Sequence, residues 1–267
     1  MDAFFRLIPG TGRRRTGEEL MHDQVLLPDE RIDDLERDGL KLIQNAKWFR
    51  YGVDAVLLSW FARAKEGETV LDLCTGTGVI PILMTAKTKA KSFTGLEIQE
   101  AVAEMARRSV ALNHLEEKVH IECGDVKEAS VIFGGASFDV VTVNPPYLTA
   151  GGGISSPDHS RAVSRQEVLC TLKDVLRESA KVLRPGGRFY MVHRPFRLAE
   201  ILSGMRDARL SPRRLCMVYP KVSKEASLVL VEGIRGGNTE IRAEAPVILQ
   251  QEDGSETLQI RQIHVRA

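Results

Sequence analysis

An α/β fold, doubly wound around a mostly parallel sheet with an antiparallel closing strand, is predicted by three observations. Short apolar runs rich in β-branched residues alternate with stretches of helical periodicity at 79–86 and 100–113; the runs are Thr69-Val70-Leu71-Asp72-Leu73-Cys74, residues 91–97, residues 119–125 and Phe138-Asp139-Val140-Val141-Thr142-Val143. Parallel strands need this alternation, because each crossover must carry the chain back to the same edge of the sheet. A glycine turn, Thr75-Gly76-Thr77-Gly78, stands where the first of these strands meets its helix. Polar residues finish the strands, and open α/β sheets bind ligands beyond the carboxyl ends of theirs.

Taken in order, residues 1–27 carry Gly10, Gly12, Gly17 and Arg13-Arg14-Arg15 without periodicity and read as a flexible or loosely docked arm. Residues 28–66 form a leading segment in which 53–62 read as an amphipathic helix with Asp54 as its first-turn acid. The core spans 67–233. In it Val168, Leu172, Val175, Leu176, Ser179 and Leu183 recur at helical spacing over 165–183, and Arg184-Pro185-Gly186-Gly187 stops that helix. A strand at 188–193, a helix at 196–208 and two β-rich runs at 214–219 and 227–231 complete it. In residues 234–267, apolar runs at 241–249 and 257–265 flank Asp253-Gly254, the signal of a β-hairpin.

A chain of 267 residues, 43% hydrophobic, can bury a full sheet with helices on both faces. Its net charge of +1 does not announce a nucleic-acid protein, so any such role must rest on local clusters. Candidates are Arg13-Arg14-Arg15, Lys87 with Lys89 and Lys91, Arg161 with Arg165, Arg206 with Arg209, Arg213 and Arg214, and Lys221 with Lys224, although each also reads as a solvated face. Cys74, Cys123, Cys170 and Cys216 are too widely spaced for a zinc pattern, which suggests a reduced, cytoplasmic setting and no metal. Phe4-Phe5-Arg6-Leu7-Ile8 is too short for a signal-peptide core, and no apolar run reaches membrane-spanning length.

Asn144-Pro145-Pro146-Tyr147 directly follows the strand at 138–143. Two prolines with fixed φ hold the preceding carbonyls stiffly outward, between an amide side chain and an aromatic ring, and such a corner accepts hydrogen bonds from an NH2 group. At the glycine turn, backbone N–H groups and a helix N-terminus can approach a ligand closely. Pro81 stands where a dinucleotide fingerprint needs its third glycine, and Asp72 puts a carboxylate beside the loop. A pyrophosphate would be repelled there, whereas the ammonium of a methionine moiety would be attracted, which favours S-adenosylmethionine over NAD. Glu97, about twenty residues past the loop, suits ribose hydroxyls. Asp125 is placed to accept from an adenine amino group. Alone, each acid reads first as a solvated strand end or a helix cap; four polar residues ending successive strands point to a site.

These residues resemble the class I S-adenosylmethionine-dependent methyltransferases that carry an Asn-Pro-Pro-Tyr motif, with a Rossmann-like sheet over roughly 67–233. The resemblance implies that Asp72, Gly76 and Gly78, with the flanking Cys74 and Thr75, line the methionine portion of the cofactor. Glu97 with Ile98 would line the ribose, Asp125 with Val126 the adenine, and Asn144 would face both cofactor and target nitrogen. A narrower likeness begins at Asp38-Gly39-Leu40-Lys41-Leu42-Ile43-Gln44-Asn45 and continues through Phe49-Arg50-Tyr51-Gly52-Val53-Asp54-Ala55-Val56-Leu57-Leu58-Ser59. It resembles the leading segment of bacterial enzymes that methylate N6 of adenine 37 in valine tRNA, which implies that this segment folds over the cofactor with Tyr51 and Asp54 near its methionine end. Ser164-Arg165-Gln166-Glu167 and Val218-Tyr219-Pro220-Lys221 fit the same family, although Gln166 stands where relatives often have histidine. Arg165 is matched and implied to touch RNA phosphate.

On this reading the Asn144 side-chain oxygen and the Pro145 carbonyl take the two amino hydrogens of adenine and aim its lone pair at the sulfonium methyl. Pro146 and Tyr147 receive the extruded base, Tyr147 by stacking. The proton leaves to water, so no general base is assigned. His193 reads as a satisfied core or rim histidine. The alternatives are a glutamine N5-methyltransferase acting on release factors, whose substrate offers the same planar NH2 group, a DNA adenine methyltransferase, and a non-catalytic RNA-binding protein.

Overall fold

The computed structural model describes residues 26–48, 51–146, 170–238 and 240–265. The expected arm therefore falls almost wholly outside the described residues, as do Tyr147, Arg161 and Arg165. The chain opens on an antiparallel pair, β1 (Glu30–Asp34) and β2 (Lys41–Asn45), in which Ile32 stands opposite Ile43. The rest alternates: α1 (Val53–Phe61), β3 (Thr69–Leu73), α2 (Val79–Lys87), β4 (Ser92–Glu97), α3 (Glu100–Leu112), β5 (Val119–Cys123), a 3-10 turn with the short α4 (Ala129–Ile132), β6 (Phe138–Val143), α5 (Leu172–Val182), β7 (Leu183–His193), α6 (Leu198–Asp207), β8 (Leu210–Tyr219) and β9 (Leu228–Arg235). The strands lie in the order β8-β9-β7-β6-β3-β4-β5. β9 runs antiparallel to both β7 and β8, while β3, β4, β5, β6 and β7 pair in parallel, as the sequence predicts.

Both faces of this sheet are covered, so its central strands are apolar almost without interruption rather than alternating. In β6 Val140 faces one core, shared with Leu57, Phe61, Val79, Ile82 and Phe93, while Val141 and Val143 face a second with Val175, Leu176, Phe189 and Met191. Thr171 caps α5: its hydroxyl accepts from Asp174 N at 3.2 Å and Asp174 returns the bond to Thr171 N at 3.1 Å. The helix stops at Val182, just before Arg184 to Gly187 as expected, and those residues are carried into the long strand β7.

The leading segment is pinned to α3 by polar contacts as well as by packing. Ile43 N donates to Ser109 Oγ at 3.0 Å, and Asn113 grips Lys41 from both sides, accepting from its N at 2.8 Å and donating to its O at 2.7 Å. Arg108 reaches back to Glu30 at 2.6 Å. These bonds satisfy backbone groups of β2 that an edge strand would otherwise expose.

Two expectations are corrected. The hairpin read at 241–249 and 257–265 does not form: β10 (Arg242–Ala243) and β11 (Val247–Ile248) add in parallel along β8, and Leu258–Val265 is a helix, α7. Asp253-Gly254 does turn the chain, with Gln250 bridging to Glu256, but Ile260 and Ile263, three apart, put one helical face into the core, a spacing that tertiary packing favours over a second strand. The amphipathic helix expected at 53–62 is instead buried widely, at Asp54, Ala55, Leu57, Leu58, Ser59 and Phe61, because it packs against α2, β7, β9 and α7 together. Arg37 locks this arrangement by donating to the Ile263 carbonyl at 2.8 Å.

We expect Ile263→Ala to cost about 2–5 kcal/mol in denaturant unfolding, the range for deleting a buried aliphatic side chain. A loosely attached tail would give less than about 0.5 kcal/mol.

Candidate functional site

β3 lies between β6 and β4, with Asp72 level with Thr142 on one side and Gly95 on the other. Four residues expected to act together therefore emerge on neighbouring strands at one edge: Asn144 after β6, Asp72 near the end of β3, Glu97 at the end of β4 and Asp125 just past β5. Pro145 is buried and Asn144 and Pro146 are half-buried, so these three residues are packed in rather than freely exposed.

The glycine turn is tied to this edge. Gly78 adopts φ +79 at the N-terminus of α2, a left-handed conformation that a side chain would strain. Gly76 N donates to Glu97 Oε2 at 3.0 Å, and Thr75 N donates to the Leu96 carbonyl at 3.0 Å, so β4 holds the turn in place. Cys74 takes φ +58, uncommon without glycine, and its thiol meets that of Cys170 at the start of α5; that hydrogen bond and burial raise the Cys74 pKa well above the usual thiol value. Gly95 fits because it lacks a side chain: a Cβ there would come within 2.8 Å of the Thr75 side chain and 2.9 Å of Ile121.

Each acid has its own environment. Asp72 is 1% exposed; its Oδ1 accepts from the Thr142 hydroxyl at 2.6 Å, while Oδ2 is buried without a partner. Burial pushes its pKa from 3.8 up to about 7, with Thr142 and Thr75 opposing and the neighbouring Glu97 adding to the rise. Glu97, 6% exposed, is raised by burial against bonds from Gln99 N at 3.1 Å and from Gly76 N. Asp125 accepts from Lys127 N at 2.9 Å and pairs with its ammonium at 3.2 Å, capping the 3-10 turn that begins at Val126. The cap leaves capacity for a further bond, because a carboxylate accepts several.

An unpartnered buried carboxylate oxygen costs free energy unless a donor reaches it. The Thr75 hydroxyl, buried beside the turn, lies close enough to the Asp72 carboxylate to help lower its pKa and adds a second polar group there. A group bearing an ammonium fits this pair, and ribose hydroxyls fit Glu97, so the residues present suit S-adenosylmethionine.

The other residues singled out in the sequence have surroundings of their own. Tyr51 packs against the first core with its N–H on Gln44 Oε1 at 3.1 Å; burial, then the carboxylates of Asp33, Glu36 and Asp34, raise its pKa. Asp54 accepts from Ala55 N at 2.9 Å in the first turn of α1. Arg214 sits over the Phe61 ring at 4.3 Å and pairs with Glu232 at 2.5 Å and Glu244 at 2.6 Å, so it serves the interior rather than a ligand surface. Lys87 donates to Ser59 Oγ at 2.8 Å, and burial lowers its pKa to about 7. His193 is 1% exposed, accepts from Arg194 N at 2.7 Å, and is held neutral by burial, its pKa lowered to about 4. Thr142 was not singled out in the sequence, though one hydroxyl within Val140-Val141-Thr142-Val143 is the signal that could have found it.

Residues 52–207 match the family model described as methyltransferase small domain. A tRNA1(Val) (adenine(37)-N6)-methyltransferase from Porphyromonas gingivalis is 29% identical over 189 residues, covering 68% of this chain and 73% of the relative. One of the same name from Aeromonas hydrophila is 26% identical over 207 residues, 77% and 84% of the two chains. Among solved structures, a predicted O-methyltransferase from Agrobacterium tumefaciens is similar with a TM-score of 0.64 at 23% identity, covering 79% of this chain and 95% of that one, a likeness of fold.

Because Asp72 holds its proton more tightly folded than unfolded, its contribution to stability is full below about pH 4 and is lost as pH rises through about 7. We expect Asp72→Asn to stabilise the ligand-free protein increasingly over that window, by on the order of 1–4 kcal/mol at pH 8, read from thermal melts at several pH values. Gly95→Ala should displace the turn, costing roughly 1–3 kcal/mol of stability and weakening cofactor binding in the same preparation.

Proposed function

Because the chain belongs to the methyltransferase small domain family, we propose that it transfers a methyl group from S-adenosylmethionine to N6 of an adenine in tRNA, adenine 37 beside the anticodon. The observation that carries the reading is the Asn144-Pro145-Pro146 corner standing on β6, one strand from the unsatisfied Asp72 carboxylate on β3. The names of the relatives support the tRNA substrate.

The cofactor supplies an activated methyl on a sulfonium. The chain's own residues supply position. Asp72 with Thr75, Gly76 and Gly78 holds the methionine portion, Glu97 the ribose and Asp125 the adenine, with Cys74, Ile98 and Val126 as neighbours and Tyr51 and Asp54 in the segment above. The exocyclic nitrogen of adenine shares its lone pair with the ring and is a poor nucleophile. The Asn144 side-chain oxygen and the Pro145 carbonyl accept its two hydrogens, turn it toward tetrahedral geometry and aim it at the methyl. Pro146 and Tyr147 form the wall against which the flipped base stacks, and Arg165 contacts RNA phosphate. Water takes the proton. His193, buried and neutral, has no part in this step. A cytoplasmic location follows from the substrate.

Nucleoside mass spectrometry of tRNA from cells lacking the protein should show loss of one N6-methyladenosine, restored by purified enzyme and cofactor. Methylated release factor glutamine with unmodified tRNA would replace this reading. Asn144→Ala should lower kcat by about a hundred- to a thousandfold while leaving cofactor affinity nearly intact, measured in single-turnover assays and by calorimetry.

A further inference from the structure

The contact between Thr142 and Asp72 crosses from the strand that carries Asn144 to the strand that carries the cofactor acid. Thr142 is fully buried, its hydroxyl donates at 2.6 Å, and the residues before and after it are valines packed into the second core. A hydroxyl in such a strand is costly unless it is bonded, and the bond here leaves the other carboxylate oxygen of Asp72 buried and empty.

We propose that Thr142 is a positioning residue for cofactor recognition: its hydroxyl holds one Asp72 oxygen so that the other is presented, as an anion, to the ammonium of the methionine portion. The inference rests on the cofactor reading above and adds to it a residue outside the glycine turn. Its chemistry is a single proton exchange. In the ligand-free protein the buried carboxyl keeps its proton up to about pH 7; the arriving cation requires the anion, so that proton is released to solvent as the ligand binds. The titratable group acting on Asp72 among the described residues is Glu97 from β4, which raises its pKa further; the Asp72 charge in turn helps raise the pKa of Cys74 in the turn. Thr142, which donates to Asp72 from β6, and the nearby Thr75 hydroxyl in the turn are the neutral groups that oppose the rise at Asp72.

The sign follows. Removing the Thr142 hydroxyl takes away a donor to the anion, so the proton is held more tightly. Affinity near neutrality then falls, and more of a proton is released at pH 7 than in the parent protein.

Calorimetry with S-adenosylhomocysteine, which keeps the ammonium and needs no RNA, tests this when run over about pH 6–9 in buffers of differing ionisation enthalpy. The parent protein should release a fraction of a proton near pH 7, falling toward none near pH 9. Thr142→Val should bind roughly ten- to a hundredfold more weakly near pH 6, recover most of the loss near pH 9, and release more of a proton at pH 7. Thr142→Ser should restore the parent profile. Asp72→Asn should bind weakly with no proton release in this range.

A Thr142→Val profile parallel to that of the parent at every pH would overturn the proposal, as would proton release that survives in Asp72→Asn. Absence of proton release in the parent protein would overturn it without the variants. If Thr142→Val does not fold, the parent and Thr142→Ser profiles decide the matter. Failure of the parent protein to bind S-adenosylhomocysteine at any pH would sink the cofactor reading instead, which keeps the two outcomes separate.

Discussion

The parallel pairing of β3 with β4 on one side and β6 on the other is the constraint on which the rest depends. It sets Asp72 level with Thr142 and Gly95, and so fixes which side chains surround the buried acid. Strand spacing of about 4.8 Å then brings the ends of three crossovers within reach of one small molecule. A slip by one residue would reverse the faces of β3, turning Asp72 away from Thr142 and exchanging the apolar sets of the two cores. The valines and leucines that forbid that slip are thus as necessary to the site as the polar residues within it.

Burial gives the acids their character. In water both carboxylates would be ionised at neutral pH and would need no partner. Here Glu97 is engaged by the turn, whereas Asp72 retains an oxygen that nothing in the described residues satisfies. The difference separates a residue that shapes the turn from one that keeps a buried oxygen without a partner. The tight fit of Gly95 against Thr75 belongs to the same device, since the turn can lie flat on β4 only where no side chain intervenes.

The segments outside the sheet are built into the molecule. The β1–β2 pair is bonded to α3 through Ser109, Asn113 and Arg108, and α7 closes over α1 with Arg37 joining the leading segment to α7. Leu42, Ile260 and Ile263 consequently share one core with Leu57 and Phe61. The helix after the leading segment is held between sheet and C-terminal helix, which leaves its position little freedom relative to the turn.

The sequence by itself determined the sheet and the edge where chemistry gathers. Apolar β-branched runs ending in polar residues, with crossovers of helical period between them, admit few other arrangements, and Asp72, Glu97, Asp125 and Asn144 were legible because strand ends carry sites in such folds. What only the tertiary structure decided were the partners. Thr142 is one hydroxyl among valines until pairing sets it against Asp72, and Arg214 is one of a basic cluster until folding stacks it on Phe61 between Glu232 and Glu244. The fate of 257–265 was also undecided locally, because a short apolar run flanked by a turn satisfies strand and helix alike. A hydrophobic face waiting on α1, more than a hundred residues away in sequence, selected the helix.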